Sequence, residues 1–131
     1  MKLGDKGPTR RDPPLTVEQF VRYQGASGDF NPMHYDSEAA VARGFPTPYA
    51  VGMLTASRLA SWLGAWVGVE NVLRFAAQFR EQSWPGDELT YAGAVTSVDE
   101  DARTAEVELT CTRQTGGVHV KGTATIALNQ G

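Results

Sequence analysis

Asp29 and His34 lie five residues apart in the run Ala26 to Asp36, ASGDFNPMHYD. Gly, Asp, Asn and Pro make turns, either by hydrogen-bonding their own backbone or by fixing φ, so this run predicts a structured loop. On such a loop a carboxylate and an imidazole can point at one small volume, hold a water there and move its protons near pH 7. That pairing suits the hydration or dehydration of a double bond. Ser27, Asn31, Tyr35, Asp36 and Glu38 crowd the same stretch. The same residue types also serve structure: Asp and Asn form Asx turns, and a single His is often a satisfied packing residue. Residue types and spacing leave both uses open.

The loop must be held by its flanks. Upstream, Thr16 followed three residues later by Gln19 has capping-box spacing, with Val17, Phe20, Val21 and Tyr23 behind it; this predicts a short helix to about Gln24, leaving at Gly25. Downstream, Ser37 is expected to cap a second short helix ending near Gly44, after which Phe45-Pro46-Thr47-Pro48 interrupts the helical pattern. A long apolar segment then opens around Gly52. Tyr49 to Val69 carries a single charge, Arg58, over a length that could cross a bilayer. An arginine near the middle costs about 2.5 to 3.5 kcal/mol on insertion scales, and Gly and Ser dilute the apolar character. The segment therefore predicts a helix apolar nearly all round, buried on most of its faces.

After Gly68 the period changes to two. Val72 to Trp84, Leu89 to Val98, Ala105 to Arg113 and Val118 to Leu128 are strand-length segments separated by Pro85-Gly86-Asp87, Asp99-Glu100-Asp101 and Gly116-Gly117. Ala105, Val107, Leu109 and Cys111 alternate with polar residues, as do Val120, Gly122, Ala124, Ile126 and Leu128, so both segments are expected to bury one face. Strict alternation puts His119 outward, on the surface. Small helices, one apolar helix and then an antiparallel meander make an α+β fold, and a helix this apolar under so small a sheet suggests a dimer closing two sheets around two helices.

The 131 residues favour one domain, and 41% apolar with 21% charged residues suffice for a packed core. Twelve basic against fifteen acidic side chains, a formal charge of −3, argue against a nucleic-acid partner. The single cysteine, Cys111, forbids an intrachain disulfide and reads as a buried thiol; with no apolar run in the first fourteen residues to serve as a secretory signal, the expected compartment is the cytoplasm. His34 and His119 lie far apart with no Cys at ligand spacing, so no metal site is expected.

The run Tyr23-Gln24-Gly25-Ala26-Ser27-Gly28-Asp29-Phe30-Asn31-Pro32-Met33-His34, with Ala40 after it, resembles the signature of the MaoC-like dehydratases and (R)-specific enoyl-CoA hydratases. The resemblance continues through Tyr49-Ala50-Val51-Gly52-Met53, Phe79-Arg80 and Trp84-Pro85-Gly86-Asp87, from Thr16 to the last strand. It implies a hot-dog fold: an antiparallel sheet wrapped around one long helix and paired across a dimer. Residues 15–131 would form that single MaoC-like domain, behind an extended lead-in over residues 1–14. The resemblance also implies that Asp29 and His34 form a dyad holding the water that adds to C3 of a 2-enoyl thioester, or that leaves in dehydration. The substrate would be an acyl-CoA or acyl-carrier-protein thioester, without metal or redox cofactor.

Water addition builds charge on the thioester oxygen, and the free N–H groups at the start of a helix are preorganised to meet it. Gly52 N–H is the candidate donor, against the plain alternative of ordinary helix-start geometry. Asn31, Ser57 and Trp62 are the candidate substrate contacts. Asn31 also suits loop shaping, Ser57 suits a backbone-bonded filler, and Trp62, four residues before Trp66, suits the core before an acyl tunnel. Two departures stand out: Val51 where relatives often carry His or Gln, and Met33 where they carry Ile, Leu or Val. Two other functions fit the fold: a catalytically silent acyl-binding subunit of a heteromeric dehydratase, and a hot-dog thioesterase. The latter usually needs an acidic residue on the central helix, and Gly52 to Val69 has none. The partners expected are a second copy of the chain or a related hot-dog chain.

Overall fold

Thr16 caps the first helix of a computed structural model that describes residues 1–128. Its side chain accepts from Gln19 N–H while the Gln19 side chain accepts from Thr16 N–H, closing the capping box at the head of α1 (Val17–Ser27). The helix runs through Gly25 and leaves at Gly28, which takes φ +79° and donates its N–H to Gln24 O. A helix exit of this kind needs a left-handed residue one step beyond the last turn, which Gly28 supplies without strain. The short α2 (Ser37–Ala42) is capped by Asp36 and not Ser37: Asp36 Oδ1 accepts from Glu38 N–H and Ala39 N–H, and its charge also suits the positive helix end. The long apolar helix α3 (Gly52–Val67) opens where the pattern predicts.

Five strands follow the order β1-β3-β4-β5-β2, with every pair antiparallel: β1 (Arg10–Arg11), β2 (Val72–Phe79), β3 (Thr90–Asp99), β4 (Thr104–Thr112) and β5 (Val118–Ala127). Ala105, Val107, Leu109 and Cys111 on β4 and Val120, Gly122, Ala124 and Ile126 on β5 are buried as their alternation predicts, as is Leu128 just beyond. Against that face α3 buries Thr55, Ala56, Leu59, Trp62 and Leu63, while Met53, Ser57, Ser61 and Ala65 stay exposed. This is the wrapped helix expected of a hot-dog domain. Among the described residues no helix is long and apolar enough to cross a membrane. The last three residues of the expected domain, 129–131, lie outside the described residues.

β2 is shorter than its pattern suggests, ending at Phe79 instead of Trp84. Arg80 N–H still reaches His119 O, but the chain then turns toward the head of α3, where Ser83 O accepts from Ala50 N–H at 2.9 Å. The lead-in is extended and mostly exposed. It lines the outer edge of β3 through Gly4 N–H to Val95 O, Gly7 N–H to Gly93 O and the β1 pairing. Its Arg11 pairs with Glu88, and Arg10 Nε meets Asp12 Oδ1 at 2.8 Å. Asp12, buried, also faces Arg58 Nη1 at 3.7 Å, giving the one charge of the central helix a counter-ion from the residue just after β1.

Candidate active site

The loop between α1 and α2 folds around two side-chain caps. Asp29 Oδ1 accepts from Asn31 N–H at 3.1 Å, and Asn31 Oδ1 accepts from Met33 N–H at 3.1 Å to start a single 3-10 turn, Pro32–His34. Gln24, buried on α1, donates to Asn31 O, anchoring the turn from below. The result buries Met33 and leaves His34 only 7% exposed at the end of the turn. His34 Nδ1 lies 2.9 Å from Tyr49 O. A carbonyl oxygen only accepts, so Nδ1 carries the proton and Nε2 of the neutral ring presents a lone pair. Nε2 has no partner among the described residues.

His34 lines a cavity of about 320 Å³ together with Tyr49, Gly52, Phe79, Glu81 and His119. Gly52 opens α3 with no side-chain cap, because the preceding residue is the buried Val51; its N–H has no acceptor among the described residues. That N–H stands at the positive end of a sixteen-residue helix. A methyl group on Gly52 would come within 2.8 Å of the Phe79 ring, so the absent side chain lets the aromatic wall approach the helix start.

The other residues singled out in the sequence are spread more widely. Asp29 is exposed and does not line this cavity, and no ion pair or hydrogen bond joins its carboxylate to His34. Asn31 is exposed and occupied as the cap of the 3-10 turn. Ser57, also exposed, donates back to Met53 O at 2.6 Å, a common resting place for a helical serine. Trp62 is 3% exposed; its indole N–H donates to Pro8 O at 2.8 Å, and its ring packs against Trp66 and Gly7, apart from the cavity. Cys111 is fully buried, and burial, reinforced by nearby Asp12, pushes its thiol up to about 12.

His119 overturns the surface position expected for it. A β-bulge shifts the β4–β5 register between Cys111↔Val120 and Thr112↔Val118, so His119 is the extra residue and turns inward beside Val120. Only 2% of its surface is exposed. Its Nδ1 gives its proton to Glu81 O at 2.6 Å, while Nε2 lies 2.7 Å from Thr55 Oγ1 and 3.2 Å from Ser83 Oγ. Burial lowers its proton affinity below the ordinary histidine value, so the neutral ring is favoured. Strict alternation hides this residue; the double glycine before β5 is the sequence signal that the register can slip, since Gly116 takes φ +91° in the turn.

A second polar cluster holds the cavity's outer wall. Buried Asp87 accepts from Arg113 Nε at 2.8 Å, Gln114 Nε2 at 2.8 Å and Trp84 N–H at 2.8 Å, while Arg113 Nη1 reaches Glu81 Oε1 at 2.9 Å. Burial alone would push the Asp87 carboxyl up, but these donors outweigh it and hold the group below the usual aspartate value.

The MaoC like domain family matches residues 2–116, which takes the resemblance into the lead-in that the motif comparison leaves outside. The (R)-specific enoyl-CoA hydratase of Aeromonas caviae is 31% identical over 112 residues, covering 84% of each chain. A solved (R)-hydratase from A. caviae, described as involved in PHA biosynthesis, superposes with a TM-score of 0.87 at 27% identity over 98% of both chains. A solved MaoC-like dehydratase reaches a TM-score of 0.91 at 30% identity, matching 98% of this chain and 41% of that longer one. The extent of the family match, the full-length likeness to an (R)-hydratase and the sheet wrapped on α3 together make this chain a member of the MaoC-like dehydratase family, a hydratase or dehydratase with the hot-dog fold.

Proposed function

We propose that the chain is a hydro-lyase for 2-enoyl and 3-hydroxyacyl thioesters, carried by coenzyme A or an acyl carrier protein, and of (R) specificity like its Aeromonas relative. One observation carries this reading: His34, whose Nε2 is unpaired, and Gly52, whose helix-start N–H is unpaired, line the same cavity. In hydration, Nε2 takes a proton from water as the oxygen bonds to C3. The electron pair of the alkene moves toward the thioester, and the charge on its oxygen is met by Gly52 N–H. A proton then returns to C2, so both hydrogens of the water end in the product and the thioester stays intact. Asp29 is the second group of the dyad, orienting the water and exchanging protons in the opposite phase. Dehydration runs the same steps backward.

Asp29 and its neighbour Phe30, 65% exposed, face solvent in the single chain, as do Met53 beside Gly52 and Phe79 on the cavity. A second chain seated over these residues would roof the site and bring the loop into it. That partner is another copy of this chain or a related hot-dog chain. The test is the loss of enoyl absorbance with crotonyl-CoA and longer enoyl-CoA thioesters. Asp29→Asn and His34→Ala should each lower kcat by about a hundredfold or more, the scale of acid–base contributions. Undiminished turnover in either variant refutes the dyad. The accessory-subunit reading draws on the separation of Asp29 from the cavity; a folded wild-type chain silent across the whole series, alone and as a dimer, would favour it.

A further inference from the structure

His119 lines the cavity, yet it cannot serve as a second acid or base there, because both of its nitrogens are engaged within the protein. Nδ1–H goes to Glu81 O, leaving Nε2 to accept from Thr55 or Ser83. Thr55 Oγ1 is the informative neighbour. It is fully buried on α3 and stands 2.7 Å from the ring and 2.9 Å from Gly52 O, within the first turn of the helix. One hydroxyl thus touches both the imidazole and the carbonyl of Gly52, a residue of the cavity lining.

The contacts form a continuous path. The 81–83 segment holds the ring through the Glu81 carbonyl and the Ser83 hydroxyl, and Ser83 O holds Ala50 N–H just before the helix. The ring stands 2.7 Å from Thr55 Oγ1, and the single proton of that hydroxyl goes either to Nε2 or to Gly52 O 2.9 Å away, Ser83 Oγ–H serving Nε2 in the second case. No side chain caps α3, so nothing at its N-cap does this work. We propose that His119 is a positioning residue for the thioester-oxygen site, fixing through Thr55 the first turn of α3 and hence the direction of Gly52 N–H. The bulge at the head of β5 exists, on this account, to aim that ring. The assignment rests on Gly52 N–H meeting the thioester oxygen, as proposed above.

The experiment uses the full-length protein with His119→Asn, His119→Gln, Thr55→Val and the double variant His119→Asn/Thr55→Val. Asn keeps the reach of Nδ1 to Glu81 but not that of Nε2 to Thr55; Gln keeps the longer reach. Misplacement of a donor should cut kcat about tenfold in His119→Asn and in Thr55→Val, with KM for an enoyl-CoA within about twofold. The double variant should lose no more than either single one, and His119→Gln should recover kcat to within about threefold of wild type. Additive losses, or a fall in thermal stability with kcat per folded molecule unchanged, would overturn the assignment. The amide resonance of Gly52 in ¹⁵N-labelled protein provides a readout independent of turnover: it should shift in His119→Asn and Thr55→Val and return in His119→Gln. If the wild type hydrates no enoyl thioester, the hydratase reading fails separately, and an unmoved Gly52 amide then rejects the positioning role. Should His119→Asn not fold, Thr55→Val decides on the same two readouts.

Discussion

His34 Nδ1–H donates to Tyr49 O at 2.9 Å, and Tyr49 N–H returns to Met33 O at 3.2 Å, so the imidazole and the segment leading into α3 are tied in both directions. The Tyr49 ring stands edge-on to His34 with centroids 5.1 Å apart and also touches the rings of Phe45 and Trp84. Tyr49→Ala should cost about 0.5 to 1.5 kcal/mol of stability per lost ring contact and lower kcat about tenfold by freeing the imidazole. Tyr49→Phe keeps every ring contact and should match wild type in both. Urea denaturation and steady-state kinetics read the two effects, and equal kcat in Tyr49→Ala would show that His34 holds its direction without the ring.

Asp87 and Arg113 lock the 81–87 wall from the opposite side. Removing one partner leaves a buried charge, so Arg113→Ala should destabilise the fold by about 3 kcal/mol, measured as a shift in urea midpoint. The folded Asp87 carboxyl titrates below its unfolded value. Its stabilisation is therefore complete above the ordinary aspartate value of 3.8 and is lost as pH falls through the lower folded value. Tm measured from pH 7 down to 2 should drop more steeply in wild type than in Asp87→Asn, and parallel curves would contradict this.

His119 acts in a different window. Burial depresses its folded proton affinity below the ordinary 6.5, while Asp87 and Glu81 pull upward and Arg113 downward. The unfolded chain binds this proton first, so stability is complete above 6.5 and declines as pH falls below it. Unfolding free energy should fall between pH 7 and 5 in wild type and be flatter in His119→Gln.

Trp62 is a core residue by its burial and by its hydrogen bond to Pro8 O. Trp62→Phe removes the hydrogen bond to Pro8 O and should cost about 1 kcal/mol in urea denaturation, with KM unchanged along an enoyl-CoA length series. A KM that changes with acyl length would instead put the indole on the substrate path.

Periodicity made the architecture legible, because β4 and β5 each have one wet and one dry face and α3 is apolar nearly all round. The capping box at Thr16 was equally plain. What escaped was set by single residues acting at a distance. Gly28 and Asp36, not Gly25 and Ser37, end and begin their helices, since left-handed geometry and a charged cap decide between close neighbours. The lead-in lacks any period of its own, and its place on β3 follows from pairing with a strand about eighty residues later. His34 stood out by type and loop context, whereas His119 required knowing that one extra residue sits in β5.

The strand order has a bearing on how the chain is made. Among the described residues β2 pairs only with β5 in this sheet, so the strand that follows α3 stays without a neighbour until β5 has left the ribosome. Until then the apolar helix lacks part of its cover, which favours late, nearly simultaneous closure of the sheet and makes truncated translation products the species most prone to aggregate.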